Sequence, residues 1–159
     1  NLVDNLSQLG YVILLSDASN QCALIHYSSH KTTRVTRSSM AAETLTFSNA
    51  FDNAFIIKHD LERMIGPVHL LMLTDSKALF HVLTRTRYTT ERRLMVDIAA
   101  AREAYHKRII SNIGLIRSEF NIADGLTKAG PNESLPKFLI NHCLDHPIEQ
   151  YVTNGQIPL

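Results

Sequence analysis

The sequence predicts an α/β fold, a mixed β-sheet with helices packed on it. Three observations carry this. Two strand-like runs flank a cluster of turn formers near the start of the chain, which reads as a hairpin. A long stretch with apolar residues at helical spacing follows it. Short, continuously apolar runs then alternate with further helical patterns, as strands buried on both faces do.

Taken in order, residues 10–15 are rich in β-branched and aromatic side chains and form the first strand. Ser16-Asp17-Ala18-Ser19-Asn20 is the turn, and residues 22–28 return as the second strand. Residues 31–37 are a polar, basic connection. A helix over about 39–64 carries Glu43, Phe47, Ala50, Ala54, Ile57 and Leu61 on one stripe, with Lys58 and Glu62 off it and facing solvent. Gly66-Pro67 ends it. Residues 70–73 form a buried strand, and Ser76 caps a short helix to about Thr84. Thr90, with Glu91 in the first turn, caps another helix running through Leu94, Ile98, Ala101 and Tyr105. Residues 109–116 make a fourth strand, a short helix follows Asn121, and a last amphipathic helix spans about 135–144. The order is β-β-α-β-α-α-β-α-α. Residues 151–159 read as a loose tail.

At 159 residues the chain fits one domain with a real core, and its 45% hydrophobic content suits a globular protein. A net charge of +1 excludes a strongly basic nucleic-acid tail but leaves room for a local basic face. No apolar run is long enough to span a membrane, and no signal-peptide pattern opens the chain. Cys22 and Cys143 have neither metal nor disulfide spacing and read as small buried residues in a reducing compartment. The eight histidines lack zinc-ligand spacing. The chain starts at Asn1 beside a strand pattern, as a piece of a longer polypeptide would.

Three acids on three elements stand out: Glu43, Asp75 and Asp124. Each lies where an apolar pattern points inward or a buried strand ends. A carboxylate there is costly unless a proton or cation satisfies it, and several brought together favour a hard cation. Each also has a plainer reading. Glu43 suits the positive end of its helix, Asp75 is a good capping residue, and Asn121-x-x-Asp124 is a helix-start pattern. Ser76 is available to cap, which frees Asp75. If the strands are neighbours, the three carboxylates meet at one edge of the sheet, where ligands bind in open α/β folds.

Gly10-Tyr11-Val12-Ile13, Ile25-His26-Tyr27-Ser28-Ser29, Arg37-Ser38-Ser39-Met40-Ala41-Ala42-Glu43, Thr74-Asp75-Ser76-Lys77-Ala78-Leu79, Arg92-Arg93-Leu94-Met95-Val96-Asp97-Ile98 and Arg117-Ser118-Glu119-Phe120-Asn121-Ile122-Ala123-Asp124-Gly125-Leu126-Thr127-Lys128 occur in this order. The ordered set resembles the ribonuclease H domain of copia-type LTR-retrotransposon polyproteins, which carry it beside a reverse transcriptase. The resemblance covers about residues 6–130. It implies a ribonuclease H-like mixed sheet of five strands, and hydrolysis of the RNA strand of an RNA/DNA hybrid. It also implies two Mg²⁺ ions, with Mn²⁺ as a substitute, held by an Asp-Glu-Asp-Asp set. Glu43, Asp75 and Asp124 match the second, third and fourth of that set and are the expected catalytic and metal-binding residues. By the same resemblance, residues 1–130 are the ribonuclease H-like domain and 131–159 a C-terminal amphipathic helix and tail. The partners implied are the hybrid and the reverse-transcriptase domain of the same polyprotein, with no membrane, in an intracellular setting (a cytoplasmic particle or the nucleus).

The departure is the first acid, which the family carries on a first strand that this chain lacks. Asp17 falls in a turn, where Asp is common for local reasons. Asp4 belongs to a segment resembling the link after that strand. The expectation is a domain truncated before Asn1, with impaired nuclease activity; the alternative is a non-catalytic retroelement remnant, a hybrid-binding or structural module. Lys31, Arg34, Arg37, Arg92, Arg93, Arg117 and Lys128 are candidate phosphate contacts, set against the plainer reading of solvated surface charge.

Overall fold

The computed structural model describes residues 6–33, 38–85, 92–128 and 133–144. The first strands, β1 (Gln8–Ser16) and β2 (Cys22–Lys31), pair antiparallel, from Gln8 opposite Lys31 to Ser16 opposite Cys22, with a bulge after Ile13. Their turn is held by Asp17, whose Oδ1 accepts from the Ser19 and Gln21 amides at 2.8 and 3.0 Å. Asp17 is thus a turn-forming residue, as its surroundings suggested.

Helix α1 (Ser39–Ile65) starts where the Ser38 Oγ accepts the Ala41 amide at 3.1 Å. It ends at Gly66, whose φ of 91° is open to glycine, and the Gly66 amide closes on the Glu62 carbonyl. Strand β3 (Leu71–Thr74) leads into α2 (Lys77–Thr84), capped by the Ser76 Oγ on the Leu79 amide. A 3-10 turn, Arg92–Leu94, precedes α3 (Met95–His106). The expected cap Thr90 and the first-turn Glu91 lie outside the described residues. Strand β4 (Asn112–Leu115) is shorter than expected. The Ile109 and Ile110 amides turn back to the Ala104 carbonyl and close α3 instead of extending the strand. Helices α4 (Asp124–Thr127) and α5 (Ser134–Asn141) follow. Among the described residues no helix is long and apolar enough to cross a membrane.

The architecture is mixed α/β, but the described strands do not join in one sheet. β1 pairs with β2, and β3 pairs in parallel with β4. The single mixed sheet expected from the pattern is therefore two half-sheets. The main core lies over β3 and β4, where Leu79, Phe80, Leu83, Ile110 and Ile113 are fully buried among α1, α2 and α3. Arg102 crosses from α3 and donates to the Leu83 and Val82 carbonyls, tying α3 to the end of α2. A second, smaller core joins Cys22 and Ile122 to Phe138 of α5, with Val12 and Leu14 against it. Cys22 is buried as expected, and burial pushes its thiol pKa up; Cys143 is half-buried. The C-terminal helix thus packs on the hairpin. Lys58 corrects an expectation: it pairs with Glu62, and its side chain is only 15% exposed, because the helix stripe is wider than the apolar pattern suggested.

Candidate active site

Glu43 lies in the second turn of α1, on the stripe that faces the half-sheets. Asp75 follows the last residue of β3; Ser76 takes the capping role, so Asp75 is not used for it. Asp124 opens α4 and is 9% exposed. Asn121 orients it, donating from Nδ2 to Oδ1 at 3.2 Å, while the Asn121 Oδ1 accepts the Ala123 amide. The expected helix start at Asn121 is not formed as a cap, since α4 begins after Ala123 without a side-chain cap; Asn121 instead makes a local turn that positions the Asp124 carboxylate.

The three acids lie in one electrostatic neighbourhood. Burial holds the Glu43 carboxyl above its ordinary pKa, and the charges of Asp75 and then Asp124 push it further in that direction. Lys128 opposes them. Its ammonium donates to the Asp124 Oδ2, one helical turn away, and this bond raises the lysine pKa. Lys128 thus meets a carboxylate first. Among the described residues, no group of three acids, histidines or cysteines is drawn close enough to hold a metal ion. Like charges repel, and one lysine already compensates one of the carboxylates.

Gly10 fixes how α4 approaches the hairpin. A Cβ there would collide with the Thr127 Cγ2. The Ser29 Oγ donates to the Leu126 carbonyl at 2.6 Å, a second tie between β2 and α4. The strand–glycine opening of the chain carried this close approach, but pattern reading alone assigned Gly10 no role.

The expected basic residues spread widely. Lys31 is exposed at the end of β2, and Arg92 and Arg93 are exposed on the 3-10 turn before α3. Arg117 is exposed, pairs with Glu119 at 3.2 Å and lies over the Phe120 ring. Arg34 and Arg37 lie outside the described residues, as does Asp4. Among the described members of this set, Lys128 alone is placed on a site carboxylate. No family model matches this chain, and no curated protein or solved structure matches it.

Proposed function

We propose that this chain is a ribonuclease H-like module of a copia-type retrotransposon polyprotein, which engages RNA/DNA hybrids and cleaves their RNA strand only when a further carboxylate completes its acidic site. The observation that carries this is that Glu43 feels the charges of Asp75 and Asp124, acids from two other elements that share its neighbourhood, in a chain whose ordered motifs resemble that family. The donor set fits hard divalent cations in kind: carboxylate oxygens, clustered negative charge and a half-buried setting. Glu43, Asp75 and Asp124 would hold Mg²⁺ or Mn²⁺. When bound, a pair of such ions activates the attacking water and stabilises the leaving oxygen of an in-line displacement. The chain's own part is to gather the charge, to orient Asp124 through Asn121, and to pair the Asp124 carboxylate with the Lys128 ammonium.

The further carboxylate has no source among the described residues. Asp17 commits its Oδ1 to the Ser19 and Gln21 amides of the turn. Cleavage of an end-labelled RNA/DNA hybrid, with Mg²⁺ and with Mn²⁺, tests the reading beside an Asp75→Asn control and a gel-shift comparison with duplex DNA. The expected result is preferential hybrid binding with no cleavage by the folded chain alone. Cleavage lost in Asp75→Asn would overturn the incomplete-site argument while keeping the ligand assignment. No preference for the hybrid would overturn the family reading.

A second reading, a hybrid-binding or structural module without chemistry, is favoured by one observation: Lys128 already neutralises Asp124, and no three donors converge within metal reach among the described residues. Under it, calorimetry finds no two-ion isotherm at millimolar Mg²⁺, even after a fourth carboxylate is supplied.

A further inference from the structure

A cavity of about 800 Å³ runs between the two half-sheets. Its long walls are β1 from Gly10 to Ser16 and β3 from Leu71 to Thr74. Phe47, Ala50 and Ile57 of α1 line one face, and Ile122 and Phe138 line the opposite one. A half-open apolar groove of this size between two cores has room for an occupant.

The backbone says what kind. The Thr32 amide donates to the Ser7 carbonyl, and the Asp17 amide to the Gln21 carbonyl. Bonded pairs alternate along an antiparallel ladder. With the observed register and bulge, Leu9, Tyr11, Ile13 and Leu15 therefore turn their peptide groups to β2. Gly10, Val12, Leu14 and Ser16 turn theirs away, into the cavity. Across it, the Asn112 and Ile116 amides donate to the Leu70 and Thr74 carbonyls, so Leu70, Met72 and Thr74 face β4. Leu71 and Leu73 present theirs to the cavity. Two rows of peptide N–H and C=O groups thus confront each other over apolar walls, and among the described residues neither row is paired with another strand. Unpaired backbone groups in such a setting are costly.

We propose that this groove accepts one apolar β-strand from a separate polypeptide segment, which pairs with β1 on one edge and β3 on the other and joins the half-sheets into a single five-stranded sheet. A small apolar ligand would fill the space but leave both rows unpaired. A described strand from a second copy cannot enter, because each already has one edge occupied and the groove needs both. Walls on both faces require side chains that are apolar throughout rather than alternating, and a proline inside the strand would break a ladder. The length is about five to seven residues. Glu43 and Asp75 line the groove together with Gly10 of β1 and Thr74 at the end of β3, so one end of the guest strand reaches the acidic site in either direction. An acid at that end deepens the nuclease reading and rests on it; strand acceptance does not.

The test uses the isotopically labelled chain and a synthetic peptide of seven Val, Ile and Leu residues between lysines, with Asp at one end. Two control peptides replace that Asp by Asn or place two prolines in the centre. The expected result is saturable binding that slows amide exchange at least about tenfold at Val12, Leu14, Leu71 and Leu73, with no effect from the proline peptide. Equal binding of the proline peptide, binding without protection of those amides, or chain self-association insensitive to peptide would each overturn the proposal. In a second arm, hybrid cleavage with Mg²⁺ is expected with the Asp peptide and not with the Asn peptide. Protection without cleavage keeps the groove and overturns the nuclease reading.

Discussion

The two half-sheets are built on different physical terms. β3 and β4 are short, but three helices enclose them, and the largest fully buried side chains of the described residues gather there. β1 and β2 are twice as long and are covered only in part. Their own cluster joins Cys22, Ile122 and Phe138, with Leu9 and Tyr11 buried beside it, and β2 leaves Leu24, Ile25 and Tyr27 at 37%, 43% and 61% exposure. The lesson is that ladder length does not set the stability of a sheet; what packs on its faces does. The acidic site sits where the well-packed half meets the sparsely packed one.

Truncating a buried ring in each half gives the largest contrast. Phe80→Ala should cost about 3–5 kcal/mol, since its pocket is closed on all sides. Phe138→Ala should cost about half as much, because it borders the groove and the smaller core can collapse. Urea unfolding of the two variants measures this, and equal losses would show that the halves form one cooperative core.

Gly10→Ala probes the contact between hairpin and site. The added methyl collides with Thr127, so a loss of about 1–3 kcal/mol is expected, with Asp124 displaced. Amide shifts in α4 and a denaturation curve check it, and an unchanged α4 would show that the hairpin yields instead.

Ser76→Ala removes the α2 cap inside the well-packed half and should cost about 1 kcal/mol. Thermal unfolding detects it. The site acids should barely respond, since Asp75 plays no part in that cap.

The smallest effect is a pH dependence at the boundary. The Glu43 carboxyl is raised by burial, then by Asp75 and Asp124. The folded chain therefore holds this proton to higher pH than the unfolded chain does. The resulting stabilisation is complete below the unfolded-state value and is lost as pH rises through the folded-state value. Lys128→Met removes the opposing charge and should move Glu43 further up. Carboxyl carbon NMR titration of both proteins reads the direction, and a downward move would remove Lys128 from the site's electrostatics.

Much of the chain was legible in its sequence. The hairpin turn followed from Asp17 among turn formers, the long helix from its apolar stripe and Gly66, and the α2 start from Ser76. Each rests on chemistry within one or two turns of the chain. The places of Glu43, Asp75 and Asp124 on their elements were legible too, because each lies where an apolar pattern points inward or a buried strand ends. Two details went differently: the 109–110 amides close α3 instead of lengthening β4, and Lys58 lies on the groove-lining side of a stripe wider than the apolar pattern, where it pairs with Glu62.

The sequence by itself determined the order of strands and helices and the positions of Glu43, Asp75 and Asp124 along them, since periodicity and capping act over short spans. Only the tertiary structure decided that the strands stand as two half-sheets across a groove, that Gly10 sits under Thr127, and that Lys128 reaches Asp124 while Glu43 feels both aspartates. Those facts depend on which edges and faces come together from distant parts of the chain. Strand pairing and charge proximity are properties of the packed molecule, and no local window encodes them.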